Sequence, residues 1–315
     1  MNLAFDGMRL TGNRICYNKP MISKSSNFSL DDCTIKALDK NNLNSFATLC
    51  ITADPLIKEG QQRRINFLHR KMAQNLWGYI AYDGGGNVAG FVDALPIEFA
   101  PQGVQGEDIY VIQCIAVRDD MQGKGLGREL IRQAVERSRD RAGLAIIAYD
   151  DPIIKPAVFF THIGFAELEQ NEPVRLLWLA DKPVLPPRLS WQRSREKGAN
   201  YNDSTGNGIR IELVMNDYCP YSYRMGRIVT QLLAQNPKAA QITIRRPEEK
   251  PVWRRLDIFP NLYINDQLKS IMALNEEETR ALLDQIIAKP VEDTAVNSTG
   301  KERGKNPKRR QEKAR

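Results

Sequence analysis

Apolar residues change their spacing repeatedly along this chain, and each change predicts an element. Thr34-Ile35-Lys36-Ala37-Leu38 alternates apolar with polar, the period of a strand, whereas residues 1–31 hold no period and read as an extension. Asn41 or Asn42 is placed to cap a helix carrying Leu43, Phe46, Ala47 and Cys50. A second helix is expected over about residues 58–75, with Ile65, Leu68, Met72 and Leu76 along its buried face. Two strands, Trp77–Tyr82 and residues 88–95, then flank Asp83-Gly84-Gly85-Gly86-Asn87, the pattern of a hairpin. No helical pattern follows those glycines, so a simple turn is expected there and not an anion-binding loop.

A continuous apolar run at residues 111–117 leads through Gln122-Gly123-Lys124-Gly125-Leu126-Gly127 into a stretch with Leu126, Leu130, Ile131, Ala134 and Val135 at helical spacing. The junction reads strand, glycine-rich loop, helix, and a further apolar strand is expected at Gly143–Tyr149. Between residues 181 and 208 the periodicity stops, and Pro183, Pro186 and Pro187 precede charged and small polar residues, the composition of a linker. It resumes with a strand at residues 209–215, after which Cys219-Pro220-Tyr221-Ser222 opens a helix carrying Met225, Ile228, Val229, Leu232 and Leu233. A strand near 241–245, a strand and turn over 259–266, and a final helix through Ala288, with Asn275 and Glu278 as its capping box, complete this block. A chain of 315 residues can build two cores. The expected organisation is a domain at 32–180, a linker at 181–208, a second domain at 209–289 and a tail at 290–315.

Chemistry is most legible at residues 122–127. Amides in such a loop and in the first helical turn have no intrahelical acceptor, and together with the helix dipole they favour an anion. Glycines let the backbone approach a phosphate closely. Neither the Gly-Lys-Ser/Thr ending of a P-loop nor the spacing of Gly-x-Gly-x-x-Gly is present. The hexapeptide instead resembles the Gln/Arg-x-x-Gly-x-Gly/Ala signature of the GNAT acyltransferases. Ile115-Ala116-Val117-Arg118-Asp119-Asp120 is similar to that family's strand end and acidic link, and Phe159-Phe160-Thr161-His162-Ile163-Gly164-Phe165 resembles its aromatic-x-x-x-Gly-Phe close. The element order over residues 33–180 is also that of the GNAT fold.

This resemblance implies a mixed α/β fold, a central sheet with helices on both faces, in which the strands at 111–117 and 143–149 run parallel and splay to admit a pantetheine arm. It implies acetyl-CoA or another acyl-CoA as cosubstrate and direct transfer to an amine acceptor. Backbone at Ile115, Ala116 and Val117 would pair with pantetheine, and an amide near Ile115 would meet the oxyanion. Amides of Gln122, Gly123, Lys124, Gly125, Leu126, Gly127 and Arg128 would hold the pyrophosphate, with the Lys124 or Arg128 side chain adding charge. Many relatives place a general-acid Tyr where this chain has Phe160, which cannot donate a proton. Protonation by His162, by water, or unassisted thiolate departure are the alternatives. For a general base, Glu107 ahead of the central strand and Asp93 on the hairpin strand are the candidates, the plainer reading being solvated strand-end carboxylates.

In the second block, strand, Cys-Pro-x-Ser, helix, strand, Pro-led strand, helix is similar to the thioredoxin and glutaredoxin pattern. The fold class expected is thus a GNAT domain followed by a smaller thioredoxin-like α/β domain, the arrangement of the YoaP-like acetyltransferases. A thiol just before a helix lies in the dipole's positive field, which lowers its pKa, so Cys219 is a candidate redox or sensing thiol with a thiol partner. Ser222 stands where a dithiol motif has its second Cys, so no internal disulfide forms there. Pro260 would be the cis proline facing Cys219. Two rival readings follow: a redox or sensing protein acting through Cys219, and a non-catalytic acyl-CoA-binding module.

Charge narrows the partners. Of the net +7, the stretch from Lys289 to Arg315 supplies five, with nine Lys or Arg against four Asp or Glu. No aromatic residue is interleaved there for base stacking, so a nucleic-acid partner is not expected. No apolar run approaches the ~18 residues that span a bilayer, and no charged-then-apolar leader opens the chain, so no membrane partner and a cytoplasmic location are expected. Five scattered cysteines and two histidines suit reduced thiols better than a disulfide framework or a metal centre.

Overall fold

The computed structural model describes residues 32–50, 54–101, 104–150, 155–171, 174–180, 186–189, 210–235, 241–245, 261–264, 267–271 and 276–288. The expected extension, most of the linker, Pro260, Asn275 and the basic tail lie outside these residues.

The first unit runs β1 (Thr34–Ala37), α1 (Leu43–Phe46), α2 (Pro55–Met72), β2 (Trp77–Tyr82), β3 (Val88–Pro96), β4 (Val104–Gln105), β5 (Ile109–Val117), α3 (Leu126–Arg137), β6 (Gly143–Tyr149), α4 (Ala157–His162), β7 (Ala166–Asn171) and β8 (Val174–Ala180). Seven strands make one mixed sheet in the order β1-β2-β3-β5-β6-β8-β7, in which only the β5–β6 pair is parallel. The hairpin follows its turn chemistry: Asp83 Oδ1 accepts from the amides of Gly85 (3.0 Å) and Asn87 (2.9 Å). Asn42 precedes α1 without capping it by its side chain. Its Nδ2 donates to the Ala37 carbonyl and its Oδ1 accepts from Asp39 N, both at 2.8 Å.

Helix α2 begins earlier than the apolar spacing predicts, because Pro55 takes the first turn and Asp54 Oδ1 caps the Leu56 amide at 2.8 Å. Its buried stripe is Ile57, Gly60, Arg64, Phe67 and Leu68, so the face is turned by about one position and Ile65 is only half-buried. Opposite faces of the sheet bury separate cores. Phe91, Leu95 and Val111 meet α1 and α2 through Phe46, Phe67 and Leu68, whereas Val92, Ala94 and Ile112 meet α3 and α4 through Leu126, Leu130 and Phe160. One irregularity crosses this division. Asp93 pairs with Cys114 but Ala94 with Ile112, so Gln113 is an extra residue, a β-bulge. Beyond it the alternation is reversed, which brings Cys114 and Ala116 to the α2 face.

The second unit consists of β10 (Arg210–Val214), α5 (Pro220–Ala234), β11 (Gln241–Arg245), β12 (Asn261–Ile264), β13 (Gln267–Ile271) and α6 (Glu276–Ala288). Its four-stranded sheet has the order β11-β10-β12-β13, with β10 parallel to β11 and the other neighbours antiparallel. Strand β13 lies beyond the strand and turn that the sequence indicates. Between the units, β9 (Arg188–Leu189) pairs with β4, so part of the expected linker is tied into a short two-stranded sheet.

The units meet along α2 and α5. A Cβ on Gly60 would lie 2.7 Å from the Pro220 Cα, so the glycine is what lets the helices approach this closely. Tyr223 OH donates to Glu59, Arg224 pairs with Asp54, and Asp217 lies 3.4 Å from Arg63 and 3.5 Å from Arg70. These half-exposed pairs set register more than stability. The Tyr218 ring packs 5.7 Å from that of Phe67, which joins the second unit to the core of the first. Among the described residues no helix is long and apolar enough to cross a membrane.

Candidate functional site

Parallel pairing of β5 with β6 stops early. Ile109 to Ile112 pair with Gly143 to Ile146, and from Cys114 onward β5 follows β3 alone. The strands therefore part at their C-terminal ends, where open α/β sheets bind ligands. Burial records the same event: β5 is fully buried through Gln113, and Cys114, Ile115, Ala116 and Val117 are half-buried. The bulge at Gln113, a feature that bends a strand locally, falls at this point.

The glycine-rich loop lies at the same end. Gly123 (φ 72°) and Gly125 (φ 86°) occupy the left-handed region, which side chains with a Cβ avoid, and no side chain caps the start of α3. Gln122, Gly123, Lys124, Gly125 and Arg128 are exposed, Gly127 is half-buried, and Leu126 points into the core. Gln122 Nε2 donates to the Val117 carbonyl and to Asp119 Oδ1, each at 3.1 Å, which ties the loop to the strand end. Arg118 anchors it from below, donating to Asp83 Oδ2 (2.8 Å), the Val88 carbonyl (3.0 Å) and both oxygens of Asp120 (2.6 and 3.1 Å). Those contacts hold the Asp83 and Asp120 carboxyls below the usual range. Left-handed glycines before a helix start that no side chain caps form an arrangement suited to an anion.

On the α2 face, against the opening, lies a cluster that sequence spacing did not reveal as a unit. Asp93 is fully buried, its Oδ1 accepts from the Cys114 amide at 3.0 Å, and its Oδ2 meets no donor among the described residues. Burial pushes its carboxyl up to about 6, against the opposing pull of Arg64, that amide bond and Lys155. Arg64 is 1% exposed and lies over the rings of Phe91 (4.5 Å) and Phe46 (5.1 Å). Lys155 is buried, adopts a left-handed backbone (φ 44°) and lies 5.4 Å from the Tyr149 ring centre. Burial lowers its ammonium to about 8. From the second unit, Tyr218 and Cys219 close over the same groups, and the electrostatic neighbours of Cys219 include Cys50, Cys114 and Arg64.

The remaining sequence candidates fall elsewhere. Glu107 is exposed ahead of the N-terminal end of β5, seven residues from Cys114 and thus about 20 Å from the opening at ~3.3 Å per residue. His162 ends α4, exposed, with Nδ1 2.6 Å from the Val158 carbonyl. Phe160 is fully buried and packs edge-to-face on Phe159 and Phe165, so this position contributes shape and no proton. The expectation of an activated Cys219 is corrected. Although the residue does precede α5, it is 8% exposed and burial pushes its thiol up to about 12, outweighing the bond from the Ser222 backbone and the charge of Arg64. A helix dipole acts on a thiolate that water also stabilises; here the water is gone. Arg64, Lys155 and Arg118 were missed. Arg64 had a signal, since it falls seven residues after Ile57 and four before Leu68 on one helical face. Lys155 had none, because its burial depends on the second unit and on β6.

Residues 48–165 match the family model described as "Acetyltransferase (GNAT) family", a stretch that lies within the first unit. Among curated proteins, the uncharacterized N-acetyltransferase YhbS of Escherichia coli K12 is 29% identical over 103 residues, covering 32% of this chain and 55% of its own. The chain thus spans about half the length of the curated relatives it matches. Among solved structures, spermidine N-acetyltransferase from Vibrio cholerae in complex with CoA and spermine is 17% identical, with 48% of this chain and 96% of that one covered, at a TM-score of 0.36. YhbS from Escherichia coli in complex with CoA is 14% identical, covering 50% and 85%, also at 0.36.

Proposed function

We propose that this protein is an acyl-CoA-dependent N-acyltransferase, using acetyl-CoA, that passes the acyl group directly to an amine. The observation that carries the reading is the coincidence, at one end of the sheet, of parted parallel strands, an uncapped helix start preceded by two left-handed glycines, and a buried carboxylate behind the gap. The residues present fit coenzyme A: the glycines keep side chains off the loop amides, and β5 has an unshared edge from Cys114 to Val117 for an amide-bearing arm. Amides from Gln122 to Arg128 would hold the pyrophosphate, with Lys124 or Arg128 alongside, and Ile115, Ala116 and Val117 would hold the pantetheine. When bound, the cosubstrate supplies an acyl thioester, whose carbonyl the Ile115 amide would polarise.

Asp93 acts as the general base. Its Oδ2 takes the proton from the acceptor amine, and a pKa of about 6 leaves it ionised at neutral pH yet basic enough for the task. The bond from Cys114 N holds the other oxygen, so the accepting one faces the cluster. With Phe160 buried, the thiolate leaves without a proton from that position.

The reading includes a cytoplasmic location and a thioredoxin-like second domain at 209–289. For the latter, support comes from the strand order β11-β10-β12-β13 with one parallel pair and from Cys219 at the start of α5. A buried, poorly ionised thiol favours a packing role for that residue over redox exchange.

Isothermal titration of acetyl-CoA and CoA into the full chain tests the proposal, together with Gly125→Glu and Gly125→Asn. Asn tolerates a left-handed backbone and should retain binding within about tenfold, whereas the added carboxylate of Glu should abolish it. No binding by the native chain would overturn the reading. Binding without CoA release on any amine would reduce the protein to an acyl-CoA-binding module.

A further inference from the structure

Arg64 is placed as few arginines are. Buried at 1% exposure, it makes one hydrogen bond among the described residues, from Nη1 to Cys50 Sγ at 3.3 Å, while Nε and Nη2 meet no acceptor. Those two nitrogens form one edge of the guanidinium, the fork that matches both oxygens of a carboxylate. The Arg64 Cζ lies 4.5 Å from the ring centre of Phe91 and 5.1 Å from that of Phe46, two rings that pack on each other, so the guanidinium is held against an aromatic pair. An unfilled donor pair on a buried cation is costly, and a chain under no other demand would close it with a carboxylate of its own.

The nearest candidate for that role declines it. Asp93 lies in the same cluster, close enough for its carboxyl to feel Arg64, yet the two form no ion pair, and Asp93 Oδ2 likewise meets no donor. Lys155 adds a second buried positive charge to the same group. The cluster therefore offers an anion-binding fork and, separately, a single acceptor oxygen, with positive charge in excess.

We propose that the acyl acceptor is a small aminocarboxylic acid, bound where the two units meet, with its carboxylate on the Nε–Nη2 edge of Arg64 and its amine at Asp93 Oδ2. This rests on the acyltransferase reading and names the substrate class of that site. The open edge takes the two carboxylate oxygens, and the orphaned Asp93 oxygen takes the amine, so one ligand fills three vacancies at once. Polyamines are disfavoured: Arg64 and Lys155 would repel a second ammonium, and among the described residues of the cluster Asp93 is the one buried carboxylate. Size is limited because Tyr218 and Cys219 of the second unit cover the cluster, both nearly fully buried. Acceptor choice would thus be a property of both units, with the second contributing wall and the first contributing charge.

The test uses the full chain. CoA release from acetyl-CoA is followed with the twenty common free amino acids, β-alanine and γ-aminobutyrate, with the carboxamide of each, and with spermidine. At least one free acid should be turned over with kcat/KM about 100-fold above its carboxamide and above spermidine. In parallel, thermal denaturation without any CoA should show stabilisation by that acid and none by its amide, a readout that stands even if acetyl-CoA does not bind. Arg64→Lys keeps the charge and loses the fork, so the acid-to-amide ratio should collapse towards one, mainly through KM. If that variant does not fold, the native panel decides alone. Amides or spermidine turned over as well as the acids, or CoA binding with no acid bound or used at 10 mM (about tenfold above the upper end of the usual KM range), would overturn the proposal. Failure of CoA binding with acid stabilisation intact would instead sink the acyltransferase reading and leave the acid site standing.

Discussion

Replacing Asp93 by Asn separates the two consequences of burying a carboxylate behind the strand gap. Moving the group from 3.8 to about 6 corresponds to about 3 kcal/mol, at 1.36 kcal/mol per pKa unit, against the ionised form in the folded chain. A carboxyl whose folded pKa is raised favours folding while protonated, so its contribution is complete below about pH 4 and is lost as pH rises through about 6. Asn resembles the protonated acid at every pH. Asp93→Asn should therefore match the native chain in stability near pH 4, exceed it by about 1.5 kcal/mol at pH 5, and exceed it by about 3 kcal/mol at pH 7 and above. Urea melts at those three pH values read the difference. Activity moves the other way: without a base, kcat for acyl transfer should fall about 10²–10⁴-fold, and the acidic limb near pH 6 in the native profile should disappear. A stability difference that is flat with pH, or a variant with native kcat and an unchanged limb, would refute the reasoning on that residue.

Three further outcomes follow from other parts of the molecule. Gly60→Ala places a Cβ 2.7 Å from the Pro220 Cα, a backbone atom that cannot swing aside, so urea stability should fall by about 1–3 kcal/mol even though Ala favours a helix by ~1 kcal/mol, and the segment joining the units should become more sensitive to protease. Cys219, with its thiol pushed from 9.0 to about 12, carries about 10³-fold less thiolate than an ordinary cysteine, so iodoacetamide at pH 8 should label it at least about 100-fold faster after unfolding; rapid labelling of the folded chain, read by mass spectrometry, would contradict the burial argument. Arg118→Met removes the contacts to Asp83, Val88 and Asp120 that hold the loop, and acetyl-CoA Kd by titration should rise about tenfold, with kcat at saturation little changed.

The proposed cosubstrate side of this protein could be read from the chain because it is local. A loop of six residues, its flanking strand and its helix are contiguous in sequence, and the glycines at 123 and 125 need a left-handed backbone whatever surrounds them. Apolar spacing placed the hairpin, the central strands and α3 for the same reason, and the proposed thioredoxin-like order of the second block rests on local period and proline positions. Residues of the proposed acceptor side come from positions 64, 93, 155 and 218–219, on one helix, one strand and two connecting segments of both units, and no local pattern joins them. Asp93 was nominated with Glu107 as an equal, and only burial tells them apart: one is sealed beneath α2 and the second unit, the other lies in water beyond the far end of the same sheet. Cys219 shows the same limit from the opposite side. Its position before a helix is written in the sequence, but the sign of its pKa shift depends on how much water reaches it, and that is decided by α2 packing over α5 through a glycine. Periodicity and turn chemistry are properties of a segment; desolvation and unfilled hydrogen bonds are properties of what the whole chain encloses, so they arise only with the tertiary structure.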